Sequence, residues 1–266
     1  HIPVHCRCFR CVSDTPPFHI EEGKLSNQGI CDNLTREIEL DNPDVEFETL
    51  VAPEARISKM LDNGEPVCFP CMIHRDAPTS RSAYSIPTHL YPPFVIIINH
   101  KSLDKFKTFG SPIDINNLLN TSSLRLGKEV ARKYGSLQQT IVSSNAYKNA
   151  VISHRFDTST ESIAELLRKG RIDYTIDYPT TFNYFKYRGY TEFVMLPINT
   201  KQSYVKGAIG CSASNPDFSN KALSIINKSL TQSVLQSETY QRGLNYWMEG
   251  YPGYWQEYEK QIIQSN

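Results

Sequence analysis

The stretch Glu161–Pro179, ESIAELLRKGRIDYTIDYP, decides the fold, because it contains a helix, the end of that helix and the strand that follows. Apolar residues recur at helical spacing up to Leu167, and Gly170 stands where a helix typically ends. Alternating apolar residues over 172–176 then predict a short strand, with Asp177 at its carboxyl end. A helix followed by such a strand is typical of an α/β protein.

Asp177 is the first candidate for a functional residue. In open α/β sheets, ligands bind at the carboxyl ends of the strands, because the loops there carry free backbone groups and helix N-termini. A single aspartate at such a place is also often a helix cap or a turn acceptor. Its role therefore depends on the residues around it.

The rest of the chain repeats the same alternation. Strands and helices alternate from the first, cysteine-rich strand to a strand over 68–71, which predicts a parallel α/β sheet. A second α/β unit is predicted over about 101–195, and the C-terminal part is predicted to be helical, with helix ends at Gly243 and Gly250. The chain crosses between these halves twice. We therefore expect two lobes, 1–95 with 205–266 and 96–204, each a mostly parallel sheet flanked by helices, with a cleft between them.

Composition excludes several classes of partner. The 266 residues contain 28 Lys plus Arg and 28 Asp plus Glu, so no long-range positive field attracts nucleic acid or an anionic membrane surface. The longest apolar run, PPFVIIIN over 92–99, is far shorter than the roughly 20 residues of a membrane-spanning helix, and it predicts a buried strand. The chain begins at His1 without a signal-peptide pattern, which favours an exported protein whose signal peptide has been removed.

The cysteines allow more than one interpretation of their role, as a redox pair, metal ligands or structural residues. Cys68 and Cys71 form a C-x-x-C pair, but no helical pattern follows to lower a thiol pKa as redox chemistry requires. Zinc would need a second such pair or a pair of histidines, and neither follows at the usual spacing. We predict no metal site or cofactor and expect buried thiols or a disulfide. The pairing stays open among seven residues: Cys6, Cys8, Cys11, Cys31, Cys68, Cys71 and Cys211.

A series of short motifs occurs in a specific order over nearly the whole chain. The motifs are Pro16-Pro17-Phe18, Gly29, Arg56, Gly64, Tyr84-Ser85-Ile86-Pro87, Leu126-Gly127, Tyr134-Gly135, Gly170-Arg171-Ile172-Asp173 and Asp177. Their order resembles the bacterial periplasmic solute-binding proteins of family 3, the amino-acid-binding type, and most closely a poorly characterised branch of it. The resemblance implies the type II periplasmic-binding-protein fold, with two lobes joined by a two-crossing hinge.

The resemblance also implies a site for a zwitterionic ligand. Such a ligand needs an anion for its ammonium group, a guanidinium or helix N-terminal amides for its carboxylate, and an aromatic wall. Asp177 would contact the ammonium group, and Gly135 and Ser136 would offer backbone donors. The remaining candidates are a polar contact at Asp14, aromatic walls from Phe18 and Tyr84, and the ligand-binding tyrosines Tyr134 and Tyr178. Ordinary packing also explains Phe18 and Tyr84.

One position departs from the family pattern. The arginine that clamps a ligand carboxylate in the amino-acid binders precedes the aromatic-serine pair by six residues, and Pro78 stands there in this chain. Arg75 and Arg81 flank that position, and either can substitute or lie exposed at the surface. The expected ligand class therefore extends beyond ordinary α-amino acids to related small polar compounds.

The expected function is capture of this ligand outside the cytoplasm, in the Gram-negative periplasm, by a monomer that delivers it to an ABC-type permease. A ligand-sensing ectodomain of a receptor is the alternative. No catalytic signature of hydrolases, metalloproteases, phosphate-binding loops or dinucleotide enzymes occurs, so we expect no enzyme. A periplasmic dehydratase on the same fold is a weaker alternative, which would require Asp14 or Asp177 as the acid.

Overall fold

A computed structural model of the chain describes residues 8–12, 15–129, 132–153 and 159–266. The strands are β1 Cys8–Val12, β2 Phe47–Val51, β3 Val67–Ile73, β4 Ser82–Tyr84, β5 His89–Tyr91, β6 Val95–Asn99, β7 Leu126–Glu129, β8 Val151–Ser153, β9 Tyr174–Asp177, β10 Phe193–Pro197 and β11 Val205–Ser212. The α-helices are α1 Ile30–Asp41, α2 Glu54–Asp62, α3 Leu103–Phe106, α4 Ile115–Thr121, α5 Gln138–Val142, α6 Asn145–Lys148, α7 Ser159–Arg168, α8 Pro179–Tyr187, α9 Pro216–Ser229, α10 Glu238–Met248 and α11 Tyr254–Tyr258.

The chain divides into two compact units. Unit 1 contains His1–Tyr91 and Tyr204–Asn266, and unit 2 contains Pro92–Ser203. The chain leaves unit 1 after β5 and returns to it just before β11. Among the helices of the described residues, none is long and apolar enough to span a membrane.

Unit 1 contains a mixed sheet with the order β2-β1-β3-β11-β4, in which β5 also pairs with β11. The pairs β1–β2 and β1–β3 are parallel, as the strand–helix alternation predicts. All described pairs of β11, the strand that follows the return crossing, are antiparallel. Only β1, β2 and β3 form parallel pairs in the described part of this sheet, so the expectation of a mostly parallel sheet is wrong for unit 1, because β11 pairs antiparallel with three strands.

The helices α1, α2 and α10 of unit 1 each bury one apolar face. Ile30, Leu34 and Ile38 of α1 recur every four residues and are almost fully buried. Trp247 of α10 is buried, and its indole N–H donates to the carbonyl oxygen of Gln28, 2.9 Å away. On α2, Ile57 and Leu61 pack with Val67 of the sheet. These contacts bury the apolar faces of the helices within unit 1.

Unit 2 contains a five-stranded sheet with the order β10-β6-β9-β7-β8. The pairs β7–β8 and β7–β9 are parallel, and β6 pairs antiparallel with β9 and β10. The run predicted to be a buried strand is β6, whose residues Val95 to Ile98 are buried, which confirms that prediction. The core around it is formed by Phe94, Ile96, Ile98, Phe106, Ile113, Ile115, Leu118, Leu119, Leu126, Tyr134, Leu137, Ile141, Tyr174, Ile176 and Ile198.

Most predicted helix ends are confirmed, and one is wrong. Gly170 follows α7 with a φ of 66°, a left-handed conformation that glycine adopts without steric cost. Gly243, in contrast, lies inside α10. A Cβ atom at Gly243 would stand 2.5 Å from Nδ2 of Asn33 in α1. This glycine therefore serves the close approach of two helices and does not end one.

Two disulfides join distant parts of unit 1, Cys31–Cys71 and Cys68–Cys211. Cys68 and Cys71 are three residues apart in β3 and so point to opposite faces of the sheet, which explains why they take different partners. Cys211 lies opposite Cys68 in the register of β11 and β3. The expectation of a disulfide is thus confirmed for these four residues; the side chains of Cys6, Cys8 and Cys11 lie outside the described residues.

Candidate functional site

Asp177 ends β9 and is buried, with 4% of its surface exposed. Its Oδ1 accepts hydrogen bonds from the backbone N–H of Tyr178 at 2.7 Å and from the hydroxyl of Thr181 at 2.9 Å. Thr181 lies in the first turn of α8, which Pro179 opens. Asp177 therefore has the turn-acceptor contacts that its position predicts, and its second oxygen is left for another partner.

That partner is Arg132, whose Nη2 lies 2.7 Å from Oδ2 of Asp177. The same guanidinium lies 3.4 Å from Oε1 of Glu129, the last residue of β7. Because β7 and β9 are adjacent and parallel, their carboxyl ends meet at one edge of the sheet. A guanidinium and two carboxylates are thus collected there, with side-chain exposures of 6–18%.

Burial governs the electrostatics of this group. It raises the pKa of Asp177 to about 6, although Arg132 and the two hydrogen-bond donors act in the opposite direction; the nearby Glu129 raises it further. Burial also raises the pKa of Tyr178 to about 12, so that its hydroxyl is protonated at neutral pH. A cation placed beside Asp177 would stabilise its ionised form.

Aromatic rings stand beside the charged group. The ring of Tyr178 stacks on Phe94, with centroids 4.2 Å apart and planes inclined by 22°. The ring centroid of Tyr134 lies 5.9 Å from that of Phe94. Tyr134 is completely buried, and its hydroxyl has no hydrogen-bond partner among the described residues. Tyr178 is therefore placed at the edge of the aromatic cluster, and Tyr134 within the core.

Gly135 and Ser136 begin a short 3₁₀ helix, Gly135–Leu137, that continues into α5. Both residues are exposed. A Cβ atom at Gly135 would lie 3.7 Å from the ring of Phe94, so this helix start adjoins the aromatic cluster. Five of the predicted site residues, Tyr134, Gly135, Ser136, Asp177 and Tyr178, thus belong to one region of unit 2.

The predicted aromatic walls of unit 1 contact different partners. Phe18 is partly buried and lies 5.3 Å from the ring of Tyr91. Tyr84 lies on β4, 6.4 Å from the ring of His74, and its hydroxyl is 3.4 Å from that of Thr79. Ordinary packing therefore accounts for both Phe18 and Tyr84, and their role in ligand binding stays a prediction. Asp14 lies outside the described residues.

The two arginines that flank Pro78 differ in their surroundings. Arg81 makes a two-pronged contact with Asp62, at 2.7 and 2.9 Å, and both side chains are about half exposed. Arg75 is exposed. The carboxylate clamp assigned to one of them stays a prediction.

Arg132 and Phe94 are the residues that sequence reasoning missed. The sequence predicts Phe94 only as part of the buried strand region, and Arg132 lies in a stretch of mixed composition, KEVARKYG over 128–135. The one feature that could have pointed to Arg132 is its place just after β7, because β7 is parallel to β9 and adjacent to it. Pairing of these strands was needed to bring Arg132 to Asp177.

Comparisons with solved structures identify the fold. The chain resembles a histidine kinase sensor domain with similarity to periplasmic binding proteins, at 13% identity and a TM-score of 0.64, covering 91% of this chain and 96% of that one. It resembles a putative L-cystine ABC transporter protein from Listeria monocytogenes, at 16% identity and a TM-score of 0.63, covering 93% and 97%. It also resembles a substrate-binding protein of an ABC uptake transporter from Streptococcus pneumoniae with bound histidine, at 13% identity and a TM-score of 0.63, covering 91% of each chain.

No protein-family model and no curated protein sequence matches the chain. The structural neighbours nevertheless share one architecture over nearly their whole length. The chain has the type II periplasmic-binding-protein fold, with α/β units whose sheets are flanked by helices. The fold predicted from the motif series is confirmed.

Proposed function

We propose that this protein is an extracytoplasmic solute-binding protein that captures a small polar ligand with an ammonium group. The observation that carries the proposal is the buried Asp177, at the carboxyl edge of the unit 2 sheet, paired with Arg132 and adjoining the Phe94–Tyr178 stack. On this fold, such an edge combines the three elements that an amino acid requires: an anion, a cation and an aromatic surface.

The chemistry of binding follows from these groups. Asp177 would accept hydrogen bonds from the ligand ammonium, and Arg132, with donors left over from its contact with Asp177, would face the ligand carboxylate. Gly135 and Ser136, exposed at a helix start, would supply backbone donors, and Tyr178 an aromatic wall. Phe18, Tyr84, Asp14 and either Arg75 or Arg81 complete the proposed set from unit 1.

Two partners are compatible with ligand capture. Structural neighbours include proteins of ABC transporters, which supports delivery of the ligand to a membrane permease. In this proposal the protein is exported to the Gram-negative periplasm and acts as a monomer. A neighbour that is a histidine kinase sensor domain supports the alternative, a ligand-sensing ectodomain. The complete gene distinguishes these: a following apolar segment of about 20 residues would indicate the receptor.

The test combines a ligand screen with one substitution. Thermal-shift measurements against amino acids, small peptides, polyamines and organic acids should identify the ligand, because a ligand at a hundredfold its dissociation constant adds about 2.7 kcal/mol to stability. Calorimetry should then show weaker binding of that ligand to Asp177→Asn, by roughly 100-fold. Asp173→Asn is the matched control, since Asp173 precedes the same strand and contacts Arg125 at the opposite end. Unchanged affinity in Asp177→Asn would contradict the proposal.

We propose no enzymatic activity. The raised pKa of Asp177 is the property that a dehydratase acid would need, so the alternative can be tested directly. We expect a prephenate-like cyclohexadienol to show no turnover. Turnover that is abolished in Asp177→Asn would replace ligand capture by catalysis as the function of this site.

A further inference from the structure

A second cluster of polar side chains lies in unit 1. A ring nitrogen of His19 and the Sγ atoms of Cys31 and Cys71 all lie within 4.8 Å of one another. His19 and Cys31 are buried and Cys71 is partly buried. Cys71 lies on β3, Cys31 on α1 and His19 in the segment before α1, all in unit 1, whereas Asp177 lies in unit 2. Substitutions of the cluster and of Asp177 therefore test two separate proposals.

His19 is oriented by Asp32. Nδ1 of His19 lies 3.0 Å from Oδ1 of Asp32, and because a carboxylate only accepts, Nδ1 carries the hydrogen. Oδ2 of Asp32 accepts from the backbone N–H groups of Ile20 and Gly29, each at 3.0 Å. A short backbone bridge to Thr15 fixes the main chain of His19 as well. Both ring and carboxylate are therefore held in place.

The second ring nitrogen of His19, Nε2, has no hydrogen-bond partner in the described part of the chain. It is also shielded from solvent, because 98% of the residue's surface is covered. A neutral imidazole with Nδ1–H presents a lone pair at Nε2, and a buried lone pair without a donor is unfavourable. A histidine whose second nitrogen donates to a carboxylate is the usual arrangement of a metal-bound imidazole.

The cysteines suit the same purpose. Cys31 is the second residue of α1, and the first turn of a helix stabilises negative charge and hence a thiolate. Cys71 reaches it from β3, and the Cα atoms are 6.0 Å apart. In a tetrahedral zinc site, two bound sulfur atoms stand roughly 3.7 Å apart, so only a small side-chain movement separates the disulfide from a metal-binding pair.

We propose that His19, Cys31 and Cys71 form a binding site for a thiophilic d¹⁰ cation. The site is available when the Cys31–Cys71 disulfide is reduced, and Zn²⁺ is the cation that tests it. Two thiolates and one imidazole are the donor set that Zn²⁺ prefers, and three protein ligands leave a fourth position for water. Asp32 is the residue that positions His19. The disulfide and the metal are alternative occupants of one pair of sulfur atoms.

A phosphine is the reductant that converts the Cys31–Cys71 disulfide into two thiols. The phosphine supplies two electrons to the sulfur–sulfur bond and takes an oxygen atom from water, which yields phosphine oxide and two thiols. One Zn²⁺ then binds both sulfur atoms and releases two protons. Cys71 is partly exposed whereas Cys68 and Cys211 are buried, so the phosphine should reduce the Cys31–Cys71 bond first.

The experiment uses the full chain with Cys6, Cys8 and Cys11 replaced by serine, so that only the four disulfide cysteines remain. The phosphine-reduced protein should bind one Zn²⁺ per chain by elemental analysis, and the oxidised protein none. Co²⁺ should give the thiolate charge-transfer and intense visible bands of a tetrahedral site with two sulfur ligands. Mg²⁺, which prefers oxygen ligands, should not compete.

Substitutions assign the ligands. In the reduced protein, His19→Gln should weaken Zn²⁺ binding by roughly 100-fold and Asp32→Asn by roughly 10- to 100-fold. His100→Gln is the matched control, because His100 is exposed and lies in unit 2, and it should leave Zn²⁺ affinity unchanged. Circular dichroism checks that each variant is folded.

Three results would overturn the proposal: no Zn²⁺ bound by the reduced protein, unchanged affinity in folded His19→Gln, or loss of binding in Cys68→Ala with Cys211→Ala but not in Cys31→Ser. If His19→Gln does not fold, the Co²⁺ spectrum of the parent protein decides instead. Absence of tetrahedral cobalt bands in that spectrum would count against the site.

Discussion

Asp32 in unit 1 and Asp177 in unit 2 are buried carboxylates with similar contacts. Each accepts hydrogen bonds on one oxygen from groups close in sequence, and each contacts a basic side chain through the other oxygen. Asp32 contacts His19, and Asp177 contacts Arg132. The two residues differ in where these partners come from.

The partners of Asp32 are His19, Ile20 and Gly29, which belong to the segment before α1 or its N-terminal cap. Asp32 therefore organises one helix start. Asp177 receives Arg132 from a separate connection, beside Glu129, at the edge where two strands end. A buried carboxylate thus stabilises local structure when nearby backbone amides surround it, and becomes a candidate for binding when strand ends bring distant charges to it.

The largest effect is expected at Asp32. Asp32→Ala removes a helix cap and leaves two backbone N–H groups and the His19 ring without their acceptor, so we expect a loss of about 4 kcal/mol in the free energy of unfolding. Urea denaturation measures this. Asp104→Ala is the control, because Asp104 pairs with Lys107 at the surface, and its midpoint should not move. A small effect at Asp32 would show that the two carboxylates do not differ as described.

Arg132→Met should have the next largest effect. It leaves Asp177 buried beside Glu129 without its cation, and breaking a buried pair costs about 3 kcal/mol or more. The loss should be greatest at pH 8, where Asp177 is ionised, and smaller at pH 5, where it is protonated. Unfolding curves at both pH values test this, and an equal loss at both would contradict the buried-charge explanation.

The pH dependence of ligand binding should be the third effect. The pKa of Asp177 is raised from 3.8 to about 6 in the folded protein, so its contribution to stability is present at low pH and is lost as the pH rises through about 6. Affinity for a ligand ammonium has the opposite trend, since only the ionised carboxylate attracts it. Calorimetry should show affinity falling up to tenfold per pH unit below about 6.

Asp177→Asn supplies the control for this measurement, because an amide does not titrate in that range. Its weaker binding should be nearly independent of pH between 5 and 8. If Asp177→Asn kept the wild-type pH profile of ligand affinity, another group would be responsible for the pH dependence. Asp177 would then not belong to the binding site.

Arg81→Ala should have the smallest effect. Arg81 contacts Asp62 with good two-pronged geometry, but both side chains are about half exposed, and exposed pairs contribute little because water and salt screen them. We expect no measurable shift of the urea midpoint. The ligand affinity of Arg81→Ala and of Arg75→Ala, measured in parallel, tests the carboxylate clamp, since a large fall in either variant would assign it.

Much of the fold could be predicted from local pattern. The period of the apolar residues and the glycine after α7 predict a helix and a strand, and the structure places Asp177 at the end of β9. The run over 92–99 predicts a buried strand for the same reason. Each of these predictions depends only on the spacing of residues that are close in sequence, because local backbone geometry sets the periods of helices and strands.

The errors and omissions have a different origin. Gly243 has the composition of a helix end, and only the packing of α10 against Asn33 explains why the helix continues. Arg132 carries no motif and meets Asp177 only through the pairing of β7 with β9. Contacts of this kind join residues far apart in sequence, and no local period records them.

By itself, the sequence determined the alternation of helices and strands, the buried strand and the carboxylate at the end of β9, because these follow from residue spacing and backbone preference. Only the tertiary structure decided that Cys71 faces His19 and Cys31, that Cys68 faces Cys211, and that a guanidinium stands beside Asp177. The physical reason is that register and packing choose which distant side chains share a buried volume, where charges and sulfur atoms interact most strongly.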